Sequence, residues 1–180
     1  MKNRLISEDR ADEIFPEVDG QGAVVGKLTR SEAHSGSKRL HPVVHLHVFD
    51  DDGRLFLQQR ADWKEIQPGR WDTAVGGHVD WGETPGEALL REAYEELGIA
   101  PQDYVPCFDC RYVYESAVER ELVNIYHTKV DASVRLQPSE TETKGGRFWS
   151  QEEIMENIGK GVFTPMFEQE YNKYVKDIVI

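Results

Sequence analysis

Two periods of hydrophobic and polar residues alternate along the chain. In "VVHLHVF" (43–49), Val44, Leu46 and Val48 fall on one side of an extended segment and His45, His47 and Phe49 on the other. That period of two predicts a strand, with its histidines half-buried or facing solvent. Asp51-Asp52-Gly53 supplies a hairpin turn, and "RLFLQQR" returns as the partner strand. Upstream, "IFPEV" and "AVVGKL" flank Asp19-Gly20-Gln21-Gly22, which predicts a short strand pair within residues 14–30. Residues 1–12 are charged and read as a loose or helical lead-in, and "SEAHSGSKRLH" as a polar connection. "QPGRWDTAVGGHVDWGE" is rich in turn residues and predicts loop with a short strand.

The period then changes to that of a helix. Thr84-Pro85-Gly86-Glu87 carries an N-cap threonine, a proline at the first helical position and a glutamate three residues after the cap. Gly98 is the expected left-handed stop. Between them Leu89, Leu90, Ala93, Tyr94 and Leu97 form an apolar arc that predicts packing on a sheet. Residues 111–118 and 121–130 read as two further strands. "GRFWSQEEIMENI" reads as a strand end followed by a helix capped by Ser150. "TPMFEQEYNKYVKDIVI" reads as a terminal amphipathic helix opening near Pro165. Strands, one helix, more strands and terminal helices predict an α/β (α+β) layered domain.

Charge and composition narrow the function classes. A formal net charge of -12 argues against nucleic acid as a partner. It does not exclude a small phosphate substrate, because a bound divalent cation reverses the local sign. No run has the length a membrane span needs, and "MKNRLISEDRADEIF" lacks the apolar stretch and cleavage site of a secretory signal, so a cytoplasmic location is expected. Cys107 and Cys110 form a lone C-x-x-C with no second pair to complete a zinc site, and are read as structural or incidental. The composition is compatible with a homodimer.

One stretch is physically odd. In "REAYEELG", Glu92, Glu95 and Glu96 stand at i, i+3 and i+4 beside the apolar arc. Like charges so placed destabilise a helix by a few tenths of a kcal/mol each, so either water or a cation must answer them. Upstream, Gly77, then five residues, Glu83, then seven residues, lead into Arg91-Glu92-Ala93-Tyr94-Glu95-Glu96-Leu97-Gly98-Ile99. This resembles the Nudix box, G-x5-E-x7-R-E-U-x-E-E-x-G-U, at every fixed position, with Ala93 a small version of the first apolar U. The resemblance implies a Nudix α/β/α sandwich with a mixed sheet and a C-terminal helix, spanning residues 31–180 with the box at 77–99, and with residues 1–30 an N-terminal extension of the same domain. It implies Mg²⁺ or Mn²⁺ as cofactor, held by a loop carbonyl near Gly76 together with Glu95 and Glu96, and Glu92 as ligand or base. Arg91 would orient Glu83 or the acids. The helix carboxylates suit these hard cations, which take oxygen ligands. The implied reaction is hydrolysis of a diphosphate bond in a nucleoside diphosphate linked to another group.

The chain also resembles isopentenyl diphosphate isomerases from about His34 to Glu121, through "AHSGSKRLH", "FDDDGRLFLQQR", "PGRWDTAVGGH" and "ERE". Their metal is bound by three histidines and two glutamates, and the matching positions are His34, His41, His78, Glu119 and Glu121. Their cysteine precedes a glycine-histidine pair, and Gly76 stands there in "VGGH". Isomerisation is therefore the alternative to hydrolysis, and a non-catalytic nucleotide-sensing Nudix domain is a second. Glu119 and Glu121 alternate and should face one side, either as the polar face of an edge strand or, for Glu121, as a further catalytic and metal-binding glutamate. Arg60, His78 and Trp81 are the candidate substrate contacts. Trp71 is read as core, while Phe15, Tyr112 and Tyr114 are read as either base-stacking or sheet-packing residues.

Overall fold

Strand β3 (Leu40–Phe49) is buried along its whole length and is the spine of a mixed sheet. The computed structural model describes residues 13–64 and 66–178; the expected lead-in, 1–12, lies outside them. Along one edge β3 pairs in parallel with β8 (Arg120–Lys129), residue for residue from Leu40↔Arg120 to Phe49↔Lys129. β7 (Cys107–Glu115) lies antiparallel outside β8. The other edge is shared. β4 (Leu55–Arg60) pairs with β3 only at Val48↔Phe56 and Phe49↔Leu55, then leaves it. β6 (Val75–His78) fills the gap, with Val44 opposite Gly77 and His45 opposite Gly76. β4 continues outward to β5 (Trp71–Asp72) and β9 (Thr143–Trp149). This fork in the sheet places the glycine pair of β6 beside the middle of β3.

Both faces of the sheet are covered. On one, α2 (Pro85–Leu97) packs Ala88, Leu89, Ala93 and Leu97 against Val44, Leu46, Val48 and Val75. Each leucine so buried contributes roughly 1.5–3 kcal/mol. The helix is bounded as its sequence predicts. The Thr84 hydroxyl accepts from the Glu87 N–H, the Glu87 carboxylate accepts from the Thr84 N–H, and Gly98 adopts φ 68°. Tyr94 departs from the expected arc. It is exposed, because the buried stripe is carried by small and aliphatic residues nearer the helix centre line.

On the opposite face α3 (Gln151–Asn157), capped by Ser150, and α4 (Pro165–Glu170) cover Phe49, Leu55, Leu57 and Trp149 with Ile154, Phe163 and Phe167. The terminal segment is less uniform than expected. After α4 the chain tightens into a π-helical turn, Tyr171–Val175. β1 (Ile14–Val18) and β2 (Val24–Thr29) form the expected hairpin as a separate two-stranded sheet, followed by the short α1 (Arg30–Ala33). Two further expectations change. β8 is a central strand rather than an edge, and Glu119 lies in the turn just before it. His45 and His47 are buried rather than solvent-facing, because α4 covers their side of β3. No helix among the described residues is long and apolar enough to cross a membrane.

Candidate active site

The box acids line the edge of α2 that faces β6. Gly77 points toward this helix, and any Cβ there would collide with the Glu92 carboxylate, so glycine is required for the helix to sit this close. Arg91 clamps the N-terminal half of the site. Its Nε and Nη2 each donate to Glu83 at 2.8 Å, Nη1 donates to Glu92 at 2.6 Å, and Nη2 also donates to the His78 carbonyl at 3.0 Å. Its Nη1 lies 3.5 Å from Glu95. The hydrogen bonds to Glu83 hold the guanidinium firmly protonated. Arg91 thus ties Glu83 and Glu92 together.

Glu96 is treated differently. Its carboxylate accepts from the Gln58 amide at 3.0 Å and from the Gly76 N–H, and among the described residues it has no cationic partner. Burial, then the neighbouring charges of Glu92 and Glu142, push its pKa well above the carboxylate range. Burial also raises Glu92, to about 7, against the opposing pull of Arg91. Two desolvated carboxylates on one helix edge, only one of them met by a guanidinium, are a donor set suited to hard divalent cations.

A second cluster sits on the other side of β6. His34, His41 and His78 bring one ring nitrogen each to within 4.8 Å of one another. The Nε2 atoms of all three are buried without a hydrogen-bond partner. Their other sides are anchored where a partner is seen. His34 Nδ1 lies 2.6 Å from Glu119 and His41 Nδ1 3.1 Å from the Arg39 carbonyl. Phe15, fully buried, stacks on His78 at 4.4 Å, which settles its role as packing. Glu121 faces His41 across the parallel pair, with its Oε1 4.0 Å from His41 Nε2. Burial and the Glu119 charge raise Glu121 to about 7. Burial lowers both His41 and His78, which keeps these imidazoles neutral as metal coordination requires. Orphaned nitrogens aimed at one point, backed by a carboxylate and a carbonyl, fit a bound metal ion.

The candidates therefore separate into two groups. Glu83, Arg91, Glu92, Glu95, Glu96 and the Gly76 backbone belong to the helix edge. His34, His41, His78, Glu119 and Glu121 belong to the histidine cluster. The strongest charges acting on Glu121 are those of Glu119, His45, His34 and Asp72, not of the box acids. From outside the box, the carboxylate whose charge acts on Glu96 is Glu142, which also pairs with Lys64 at 2.7 Å. Sequence reading missed it; a lone glutamate in the polar run "PSETETK" carries no spacing signal. Arg60 is pinned to Asp72 at 3.3 Å and to the Ile66 carbonyl at 3.1 Å. Trp81 is exposed, with Lys27 Nζ 4.1 Å from its ring centroid, while Trp71 packs on Trp149.

Comparison with known proteins identifies the family. The NUDIX domain family model matches residues 39–167, and the chain belongs to the Nudix family. It is 33% identical over 166 residues to the isopentenyl-diphosphate Delta-isomerase of Streptomyces coelicolor, covering 89% of this chain and 83% of that protein. It is equally 33% identical, over 156 residues, to an uncharacterized Nudix hydrolase of the same organism, SCO1686, covering 86% of this chain and 84% of that one. The crystal structure of DR0079 from Deinococcus radiodurans superposes with a TM-score of 0.76 at 23% identity, over 89% of this chain and 98% of that one, and shares the fold. Membership supports pyrophosphate hydrolysis in general, and the family generally uses divalent metals such as Mg²⁺ or Mn²⁺.

Proposed function

We propose that this chain hydrolyses a diphosphate bond in a nucleoside diphosphate linked to another group, using Mg²⁺ or Mn²⁺. The observation that carries the reading is Glu96, a desolvated carboxylate held by two neutral donors and, among the described residues, by no cationic side chain. Divalent cations, when bound, would supply the missing charge and a water activated near neutral pH. Glu96 and Glu95, with a carbonyl of the Gly76 loop, would hold them, and Glu142 would add a carboxylate from outside the box. Glu92, near 7, takes the proton as water attacks phosphorus. The bond from that phosphorus to the bridging oxygen breaks, and the second phosphate leaves. Arg91 keeps Glu92 and Glu83 in register.

The histidine cluster favours a second reading, isomerisation of isopentenyl diphosphate, with a metal on His34, His41, His78, Glu119 and Glu121. Gly76 argues against it, because glycine stands at the position where the isomerases carry their cysteine. In the hydrolase the same cluster would hold a second ion that fixes the β1–β2 hairpin to the sheet.

A turnover screen tests both readings. The purified chain with Mg²⁺ or Mn²⁺ would be given nucleoside triphosphates, nucleotide sugars, dinucleotides, coenzyme A and isopentenyl diphosphate. Metal-dependent phosphate release after phosphatase coupling, lost in Glu96→Gln, is the expected result. Conversion of isopentenyl diphosphate without hydrolysis would reverse the ranking.

A further inference from the structure

Gln58 is a polar residue at a core position. Along β4, Leu55 and Leu57 pack toward α3 and α4, and Phe56 packs toward α2. The period of two therefore turns Gln58 to the α2 side, where it is 4% exposed. Its Nε2 donates to the Ala74 carbonyl at 2.5 Å and to the Glu96 carboxylate at 3.0 Å. A backbone carbonyl can only accept, so the amide nitrogen is the end that faces Ala74, and Oε1 is the end turned away. Oε1 is buried and has no hydrogen-bond partner among the described residues.

A buried acceptor left unpaired is costly, and this one lies next to the helix-edge acids. The oxygen and nitrogen of an amide are about 2.2 Å apart, so Oε1 borders the carboxylate that its nitrogen touches. A hard divalent cation held by a few carboxylates keeps several of its waters, and their protons need acceptors. A neutral amide oxygen beside Glu96 meets that need without adding to the repulsion among Glu92, Glu96 and Glu142. A hydrocarbon at residue 58 would bury equally well and supply neither contact.

We propose that Gln58 is a positioning residue for the helix-edge cation: its Nε2 fixes Glu96, and its Oε1 accepts a hydrogen bond from a water of the ion that Glu96 would hold. This rests on the hydrolase reading for the presence of a cation at the helix edge. It deepens that reading by naming a neutral side chain, outside the box, on which the affinity of the site depends.

The test is Mn²⁺ binding by the full chain without substrate, read by electron paramagnetic resonance of the free ion, together with melts of the metal-free chain. The histidine cluster can hold an ion of its own, so the helix-edge site is the component of binding that Glu96→Gln weakens. Gln58→Met keeps the length and burial but removes both polar ends. It should raise the Kd of that component about 10- to 100-fold, the range for partners of metal ligands. It also leaves the Ala74 carbonyl unpaired, so the metal-free Tm should fall by a few degrees. Gln58→Glu keeps an oxygen at the Oε1 position but sets a second carboxylate against Glu96. Its metal-free Tm should fall at least as far, yet its Kd should return most of the way to that of the unmodified chain. Affinity and stability then move apart, which a merely structural glutamine would not produce. Unchanged Kd in Gln58→Met, or Kd rising in step with the fall in Tm across both variants, while Glu96→Gln still weakens binding, would overturn the role of Gln58 and leave the hydrolase reading standing. Mn²⁺ binding unaffected by Glu96→Gln would remove the helix-edge cation, and this proposal with it.

Discussion

Two carboxylates, Glu96 and Glu170, lie on opposite sides of the β3–β6 layer, and the protein treats them in opposite ways. Glu170 is met by two imidazoles and a tyrosine hydroxyl, and although burial opposes its ionisation, His45 and His47 hold its pKa well below the usual range. Glu96 is met by an amide and a backbone N–H, and burial with two neighbouring carboxylates holds it well above. A fold that answers a buried acid from within has made it a strut. A fold that leaves one unanswered has left room for a cation from outside. The comparison predicts that the two residues fail differently when altered.

The largest contrast is a crossed pair of substitutions. Glu96→Gln should cut metal-dependent turnover by at least about 100-fold, the upper end of what losing an outer-sphere partner costs, while leaving the metal-free chain as stable as before or more so. Glu170→Gln leaves two imidazoles without their carboxylate and should cost about 3–5 kcal/mol of stability, the range for breaking a buried pair. That lowers Tm by roughly 10 °C in a domain of this size. Turnover assays and thermal melts on both variants check this. Equal effects of the two on activity, or a lower metal-free Tm in Glu96→Gln, would erase the distinction.

A smaller effect follows from pH. The folded pKa of Glu92 is raised to about 7 from an ordinary 4.5. The folded state therefore holds its proton more tightly than the unfolded one. That stabilisation is complete below about 4.5 and is lost as pH rises toward 7. Glu96 acts in the same direction. The metal-free chain should thus lose up to about 3 kcal/mol over this interval, and saturating Mn²⁺ should restore more stability at pH 7.5 than at pH 5.5. Melting curves with and without Mn²⁺ at the two pH values read this directly. A Mn²⁺ increment that does not depend on pH would place the metal away from these acids.

The legibility of these features in the sequence followed their range. Local rules found the α2 boundaries, because Thr84, Glu87 and Gly98 act within one helical turn. The box acids were legible for the same reason. The strand from Val43 was legible, but its polar side was misread, since nothing nearby announces that α4, more than a hundred residues on, will cover His45 and His47. Glu170 looked like one polar residue of an amphipathic helix, and only the tertiary fold makes it the acceptor for three donors. Glu142 reaches Glu96 because the loop before β9 folds back over the end of α2, with the Ser139 N–H bonding the Glu96 carbonyl at 2.9 Å. A long-range return of this kind leaves no periodic trace.

The smallest expected effect concerns Gly76, where the isomerase and hydrolase readings part. If the missing thiol were all that separated the chain from isomerisation, Gly76→Cys should create that activity. The geometry predicts otherwise. A Cβ at 76 already meets the His45 ring at ordinary contact distance, and a sulfur one bond further out must pack on an imidazole that Glu170, His47 and Tyr112 hold rigid. The thiol would therefore sit against the imidazole. Gly76 is also not in the left-handed region, so the backbone tolerates the change and Tm should move by no more than a few degrees. The expected outcome is a folded protein with no detectable dimethylallyl diphosphate from isopentenyl diphosphate by mass detection. Isomerised product from this single variant would mean that the two chemistries differ here by one residue.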